Sequence, residues 1–190
     1  MIVADESDET LMQRYARGDV AAFELLYRRH EMRTWRYLER SLRNRATADE
    51  LMQEVWFAVA RDAARYQPTA RFTTWLFTIA HHRLIDWVRA NRRHASLDAM
   101  GFESGAVVDR LTADPSEGPL AAAVARDQAA ALVQAVERLP QEQREAFLLR
   151  MEGDLSVEEI SEITDASVEA TKSRLRYART KLRELLKEHA

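Results

Sequence analysis

The sequence contains no cysteine, which at once excludes disulfide frameworks, thiol catalysis and cysteine-ligated zinc. Glycine and proline are scarce, five and four among 190 residues, which favours helices over turn-rich sheets. Charges interrupt every aliphatic run well short of the ~18 residues that a membrane span requires. The opening residues, MIVADESDE, are acidic and lack the basic-then-apolar order of an export signal, so the expected location is the cytoplasm. Net charge is also small, −3, and a pI near 6.0 on its own argues against a polyanionic partner.

What is present reverses that last inference. A hydrophobic fraction of 46% supports a packed core, enough for one domain or two small ones. The charge is sharply partitioned. Residues 61–95 hold 7 basic and 2 acidic side chains, and residues 171–187 hold 7 and 1. Between them, residues 96–119 hold 1 basic and 5 acidic, and residues 120–170 hold 4 and 11. Two compact basic blocks on an otherwise acidic chain point to two separate contacts with a polyanion.

The periodicity predicts an all-α protein with two small helical domains, 1–95 and 120–190, joined by a flexible acidic linker over 96–119. Three of the five glycines and two of the four prolines fall in that linker. Upstream, Phe23, Leu26, Tyr27, Tyr37 and Leu38 outline a long helix after Gly18-Asp19. Thr47 with Glu50 fits a capping box opening a helix to about Tyr66, which Gln67-Pro68 ends. Another helix is expected from Thr73 or Thr74 to about Arg92-Arg93. Trp35, Trp56 and Trp87 read as core; Trp75 reads equally as core or as an exposed surface. Downstream, helices are expected over 120–138 and 141–151, with Pro140 in the first turn and Gly153 as the stop.

The last 35 residues carry the clearest local signal. Ser156-Val-Glu-Glu159 is a capping box, Asp165-Ala-Ser167 a tight turn, and Ser167 an N-cap for a basic final helix. Two short-linked helices, the second basic, form a helix-turn-helix pattern. Val168, Leu175, Ala178, Leu182 and Leu185 make one apolar face; Lys172, Arg176, Arg179 and Arg183 line another. A major groove ~12 Å wide admits such a helix. Lys172, Ser173 and Arg176 are the candidates for reading base edges, and Arg174, Arg179 and Arg183 for the backbone.

Residues 139–186, from Leu139-Pro-Gln-Glu-Gln through Ser156-Val-Glu-Glu-Ile to Thr171-Lys-Ser-Arg-Leu-Arg, resemble the C-terminal domain of extracytoplasmic-function (ECF) sigma factors. Residues 48–61, Ala-Asp-Glu-Leu-Met-Gln-Glu-Val-Trp-Phe-Ala-Val-Ala-Arg, and Phe72-Thr-Thr-Trp-Leu-Phe-Thr-Ile-Ala80 resemble the N-terminal domain of the same family. The resemblance implies a promoter-specificity subunit of bacterial RNA polymerase, without enzymatic activity or cofactor. It implies that 1–95 binds core polymerase and melts the −10 element, while 120–190 reads the −35 element. Asp49, Glu50, Gln53 and Glu54 would dock on the clamp helices of the β′ subunit, with the flap of the β subunit as a further partner. Tyr66, Arg71, Phe72, Trp75, His82, Arg89, Arg92 and Arg93 would handle the single strand. Lys172, Ser173, Arg174, Arg176 and Arg179 would hold the upstream duplex. His82 stands where the family tends to carry Asn, Tyr177 where arginine is frequent, and Ser161 where alanine is usual, so the preferred bases are open. An anti-sigma factor, or a regulatory kinase acting at Thr47, would be a natural partner.

Two rival readings exist. A helix-turn-helix regulator acting without polymerase accounts for the last 50 residues but not for the Asp49 motif. His82 and Asp86, four apart on one helix face beside His81, could form two metal ligands, but no third follows at informative spacing.

Overall fold

The computed structural model describes residues 6–95 and 119–187, and side chains over 6–91 and 127–187. All regular structure among them is helical: α1 Asp8–Ala16, α2 Val20–Leu42, α3 Arg45–Asp62, α4 Phe72–Ala95, α5 Pro119–Glu137, α6 Gln141–Gly153, α7 Val157–Ile163 and α8 Val168–Lys187. A single 3₁₀ turn, Ala63–Arg65, follows α3. The expected linker lies outside the described residues, apart from Pro119, where α5 begins.

Helix α1 is not among the sequence expectations, although its signal is present. The Ser7 hydroxyl accepts from Thr10 N, and Asp8 and Glu9 place negative charge at the positive end of the helix dipole. Burial of Leu11 and Met12 then ties this short helix to α2. Asp19 caps α2 by accepting from the Ala21 and Ala22 amides, and the helix runs unbroken to Leu42, where Arg43 turns left-handed (φ 55°).

The expected capping box of Thr47 and Glu50 does not form. Asn44 is the N-cap of α3, accepting from Thr47 N at 3.1 Å, so Thr47 lies one turn inside the helix. Thr47 is largely buried, with 9% exposure. The cap moved because an asparagine in extended backbone outcompetes a threonine that can pack against the core. Gly153 also differs from expectation. It is the last residue of α6, and Asp154 supplies the left-handed C-cap (φ 52°). Glycine is required at 153 by proximity: a Cβ there would sit 2.8 Å from Leu155 Cγ and 3.2 Å from Phe77 Cγ. Pro140 occupies the N-cap itself, one place before the first turn.

The core of the first half gathers Leu11, Met12, Leu26, Tyr37, Leu38, Leu76 and Phe77, all fully buried. Trp35 and Trp56 are buried as expected, with Phe23 and Tyr27 edge-on to Trp56 at 5.7 and 5.0 Å; Trp87 is half-buried. In the second half, Leu148, Leu149, Leu155 and Ile160 meet Leu175, Ala178, Leu182 and Leu185 of α8.

The two halves pack on one another. Helix α6 lies across α2 and touches α4, and α7 reaches α4. Charged groups set this contact: the buried Glu152 accepts from Arg36 (Nη2, 2.9 Å) and Arg40 (Nη1, 2.8 Å) of α2. Beside them the Tyr37 hydroxyl of α2 and His81 Nδ1 of α4 share a hydrogen bond at 3.1 Å, with Glu145 Oε1 of α6 3.5 Å from the same nitrogen. Burial and the neighbouring His82 hold the His81 imidazole down at about 4, and burial pushes the Glu145 carboxyl up. This pair is therefore neutral histidine beside a carboxyl drawn toward its protonated form, rather than an ion pair. His81, named above only as the neighbour of His82, is in the structure a buried joint between the halves.

Candidate nucleic-acid interface

Three surfaces carry the expected site residues. The first is the solvent edge of α3, where Asp49, Glu50, Gln53 and Glu54 are all exposed. They lie there because Leu51, Met52, Val55, Trp56 and Val59 occupy the buried stripe of the same helix. Trp35 donates its indole N–H to Asp49 Oδ1 at 2.6 Å, and Arg45 lies over the Trp35 ring at 5.8 Å. Phe57 continues the edge one turn on and is 71% exposed. It is absent from the sequence expectations, although an apolar residue out of phase with the buried stripe is a legible signal.

The second surface is the loop before α4. Tyr66 packs on Trp75 at 4.9 Å between ring centres, and Phe72 stands 6.2 Å from Tyr66 and 6.0 Å from Trp75. Phe72 is fully buried, with the His30 ring 5.3 Å away, so it supports this cluster from below and offers no stacking face. That corrects its expected role. Tyr66 and Trp75 are half-buried and form the part of the cluster that a base could reach. Burial, with Glu9 and Asp8 nearby, pushes the Tyr66 phenol up to about 12, and its hydroxyl has no protein hydrogen-bond partner. Glu9 of α1 accepts from Phe72 N at 2.7 Å and so ties α1 to the start of α4.

Arg71, at the head of α4, is already engaged. Its Nη2 donates to Glu159 Oε2 at 2.9 Å and to the Asp154 carbonyl at 2.7 Å, and its Nε to Glu159 Oε1 at 3.3 Å. Thr74 Oγ1 also donates to Glu159 Oε1. Burial opposes ionisation of Glu159, but donors from Arg71, Thr74 and Ser156 N outweigh it and hold the carboxyl down at about 2. Further along α4, His82 and Arg89 are exposed. The side chains of Arg92 and Arg93 lie outside the described residues.

The third surface is α8. The capping box forms with both bonds, Glu159 N to Ser156 Oγ (3.1 Å) and Ser156 N to Glu159 Oε2 (2.7 Å). Ser167 accepts from Ala170 N at 3.1 Å and starts α8 where expected. The apolar face turns inward, leaving Lys172, Arg176 and Arg179 exposed on the other side. Ser173 is half-buried between them. Arg174 points differently: it is half-buried and paired with Glu142 of α6 at 2.9 Å, so it braces α8 against α6. Tyr177, 55% exposed, lies beneath the Arg176 guanidinium at 5.1 Å. Among the described residues, no three histidine or carboxylate side chains converge as a metal site, and no helix is long and apolar enough to cross a membrane.

Residues 26–94 match the family Sigma-70 region 2, and residues 129–182 match Sigma-70, region 4. RNA polymerase sigma factor CarQ of Myxococcus xanthus is 34% identical over 180 residues, 93% of this chain and 96% of that protein. ECF RNA polymerase sigma factor SigK of Mycobacterium ulcerans (strain Agy99) is 29% identical over 178 residues, covering 93% and 91%. Among solved structures, the sigma factor RpoE of Bartonella quintana, in complex with the anti-sigma factor NepR, shares the fold with a TM-score of 0.70. The identity is 22%, over 87% of this chain and 96% of that one. CnrH, solved with the cytosolic domain of CnrY, gives 0.65 at 21% identity, over 97% and 100%.

Proposed function

The chain belongs to the ECF sigma factors and is a sigma subunit of RNA polymerase; on that premise we propose how its surfaces divide the work. The α3 edge binds core enzyme, the Tyr66–Trp75 loop with α4 receives the melted −10 strand, and α8 reads the −35 duplex. The observation that carries this reading is the placement of the two basic blocks. The first runs from Arg61 at the end of α3 through Arg65 and Arg71 to Arg89 on α4, all four exposed, and the second lies along α8, so the blocks sit in different halves of the molecule.

The chemistry follows from the side chains. Asp49, Glu50, Gln53 and Glu54 present acceptors on one helix edge, suited to basic groups of the β′ clamp helices, and Phe57 adds an apolar anchor at its end. Tyr66 and Trp75 offer aromatic edges to an unstacked base, and His82 and Arg89 continue a cationic and polar track along α4. In the upstream duplex, Lys172, Ser173 and Arg176 face the major groove, and Arg179 holds a phosphate. Arg174 contributes by fixing α8 to α6 through Glu142. The flap of the β subunit and an anti-sigma factor are the further partners of the reading.

Reconstitution tests it. The purified chain is expected to associate with core RNA polymerase and to direct initiation from promoters that core alone ignores. Failure to bind core would sink the reading, and specific DNA binding without core would favour a stand-alone helix-turn-helix regulator.

A further inference from the structure

Glu159 has two sets of partners from two parts of the chain. Within its own helix it closes the capping box by accepting from Ser156 N at 2.7 Å. Across the molecule it accepts from Arg71 Nη2 (2.9 Å), Arg71 Nε (3.3 Å) and the Thr74 hydroxyl. Arg71 heads α4, its carbonyl accepting from Trp75 N at 3.2 Å, so these donors sit at the positive end of a 24-residue helix. Two guanidinium N–H groups, one hydroxyl and a helix dipole around one carboxylate is the donor set that holds an oxyanion.

We propose that the Arg71–Thr74 corner is a binding site for a backbone phosphate of the melted strand, and that Glu159 occupies it as an internal surrogate. The inference rests on the reading of the loop before α4 as part of the single-strand track, and it adds Thr74 and a mode of regulation to that track. Packing of the halves and entry of the strand are mutually exclusive at this corner, because one set of donors serves both anions.

The energetics suit an exchangeable contact. Arg71 keeps about half of its side chain in solvent, and an ion pair that exposed is worth little in water. Release does not orphan Glu159, which retains Ser156 N as a partner in α7. Asp154, 3.8 Å from Arg71 Nη1, would leave with Glu159, removing both opposing charges of the second half from the corner. Glu9 stays, but its carboxylate is committed to Phe72 N. The remaining joints between the halves include the Glu152 pair with Arg36 and Arg40, the Tyr37–His81–Glu145 cluster, and the bonds from Arg33 to the Met151 carbonyl and from Arg43 to the Glu137 carbonyl. Those joints hold the surrogate in place without touching the corner.

The test uses the full chain without polymerase and a fluorescent twelve-residue oligodeoxythymidylate. Glu159→Gln is expected to bind it about tenfold more tightly than the parent at low salt. The salt slope should steepen by about 0.7, the value for one more phosphate contact on a single strand. Glu158→Gln, an exposed change of the same charge on the same turn, should leave affinity within twofold. Arg71→Gln should erase the gain in the Glu159→Gln background. Since losing Glu159 also weakens the capping box, Glu152→Gln serves as a second route, opening the halves from a distance and again tightening binding. The absence of native cysteine allows a distance readout through dyes on Ala46→Cys and Thr180→Cys, both exposed. Oligonucleotide should lengthen that distance in the parent chain. Equal affinity for the parent, Glu158→Gln and Glu159→Gln, or an equal gain for both variants, overturns the proposal. A chain that passes here and fails to bind core would instead fault the sigma-subunit assignment of its surfaces.

Discussion

The indole N–H of Trp35 in α2 donates to Asp49 Oδ1 in α3 at 2.6 Å, joining a buried ring to the exposed acidic edge. Asp49 is therefore held in one orientation, while Glu50, Gln53 and Glu54 stand beside it in solvent. Arg45, over the same ring at 5.8 Å, closes the arrangement from the start of α3. Trp35→Phe keeps the packing and removes the donor. Core polymerase should bind the variant about 3–10-fold more weakly, ~0.7–1.4 kcal/mol, below the ~1.5–3 kcal/mol of a hydrogen bond to a charged group because the exposed Asp49 carboxylate recovers water in its place. A binding titration beside Glu54→Ala separates this positioning effect from loss of a docking carboxylate. Unchanged affinity for Trp35→Phe would mean that Asp49 does not depend on its indole partner.

Acidification should loosen the contact between the halves through His81. Its folded-state pKa of about 4 lies below the ordinary 6.5, so between those values the unfolded chain binds a proton that the packed state refuses. Stability from this group is full above pH 6.5 and falls as pH drops toward 4, by on the order of 3 kcal/mol at most. Glu145, whose carboxyl is pushed up by burial, works in the opposite sense and reduces the net slope. Urea unfolding between about pH 4 and 8 should show a shallower fall for His81→Gln than for the parent. Parallel curves would exclude His81 as the titrating joint.

Glu152→Ala leaves Arg36 and Arg40 facing a gap. Breaking a fully buried ion pair from one side costs about 3–5 kcal/mol. Here about 2–3 kcal/mol is expected, because Arg36 keeps 26% of its side chain in solvent. Small-angle scattering should report a larger radius of gyration for the variant, along with earlier unfolding in urea. A compact, fully stable variant would show that apolar contacts alone hold the halves together.

Gly153→Ala is a change of one methyl group with no room for it. The added Cβ would meet Leu155 Cγ at 2.8 Å and Phe77 Cγ at 3.2 Å, both part of packed side chains. Overpacking of this kind costs about 1–3 kcal/mol. Thermal unfolding should detect the change, and a melting temperature equal to the parent's would mean that Leu155 rotates away freely.

On α8, Lys172→Ala or Arg176→Ala should lower upstream-element selectivity by ~1–3 kcal/mol for each base edge no longer read. Arg174→Ala should act differently, weakening all promoters alike, since its guanidinium is paired with Glu142 rather than turned outward. A promoter-competition assay with holoenzyme distinguishes the two patterns. Equal selectivity losses for all three variants would contradict this division of the helix.

Local signals in the sequence proved reliable where the partner lay within one turn. Asp19 and Ser167 cap helices, and Ser156 with Glu159 forms the capping box, because those bonds depend on three or four consecutive residues. Asn44 against Thr47 was a close contest between two competent caps, decided by which side chain the core could absorb. Phe72 is an aromatic beside a basic loop, and only the tertiary fold shows it facing inward, against His30. Helix α1 escapes a sequence reading because its apolar content is small and its support comes from α2. Glu152 and Glu159 are invisible as joints, since their partners lie 112–116 and 85–88 residues away in the chain. No spacing rule reaches that far.

The confinement of all four tryptophans to the first half, with Trp75 packed on Tyr66 near Arg71, has an optical consequence. Excitation at the red edge of the protein absorbance selects indole alone, so emission reports on residues 1–95 while the second half stays dark. Trp35 and Trp56 are sealed from solvent, which leaves the half-buried Trp75 and Trp87 as the accessible fluorophores. Quenching by iodide or acrylamide would thus follow the neighbourhood of α4 without any label. The molecule comes with its own spectroscopic window onto the strand-handling surface.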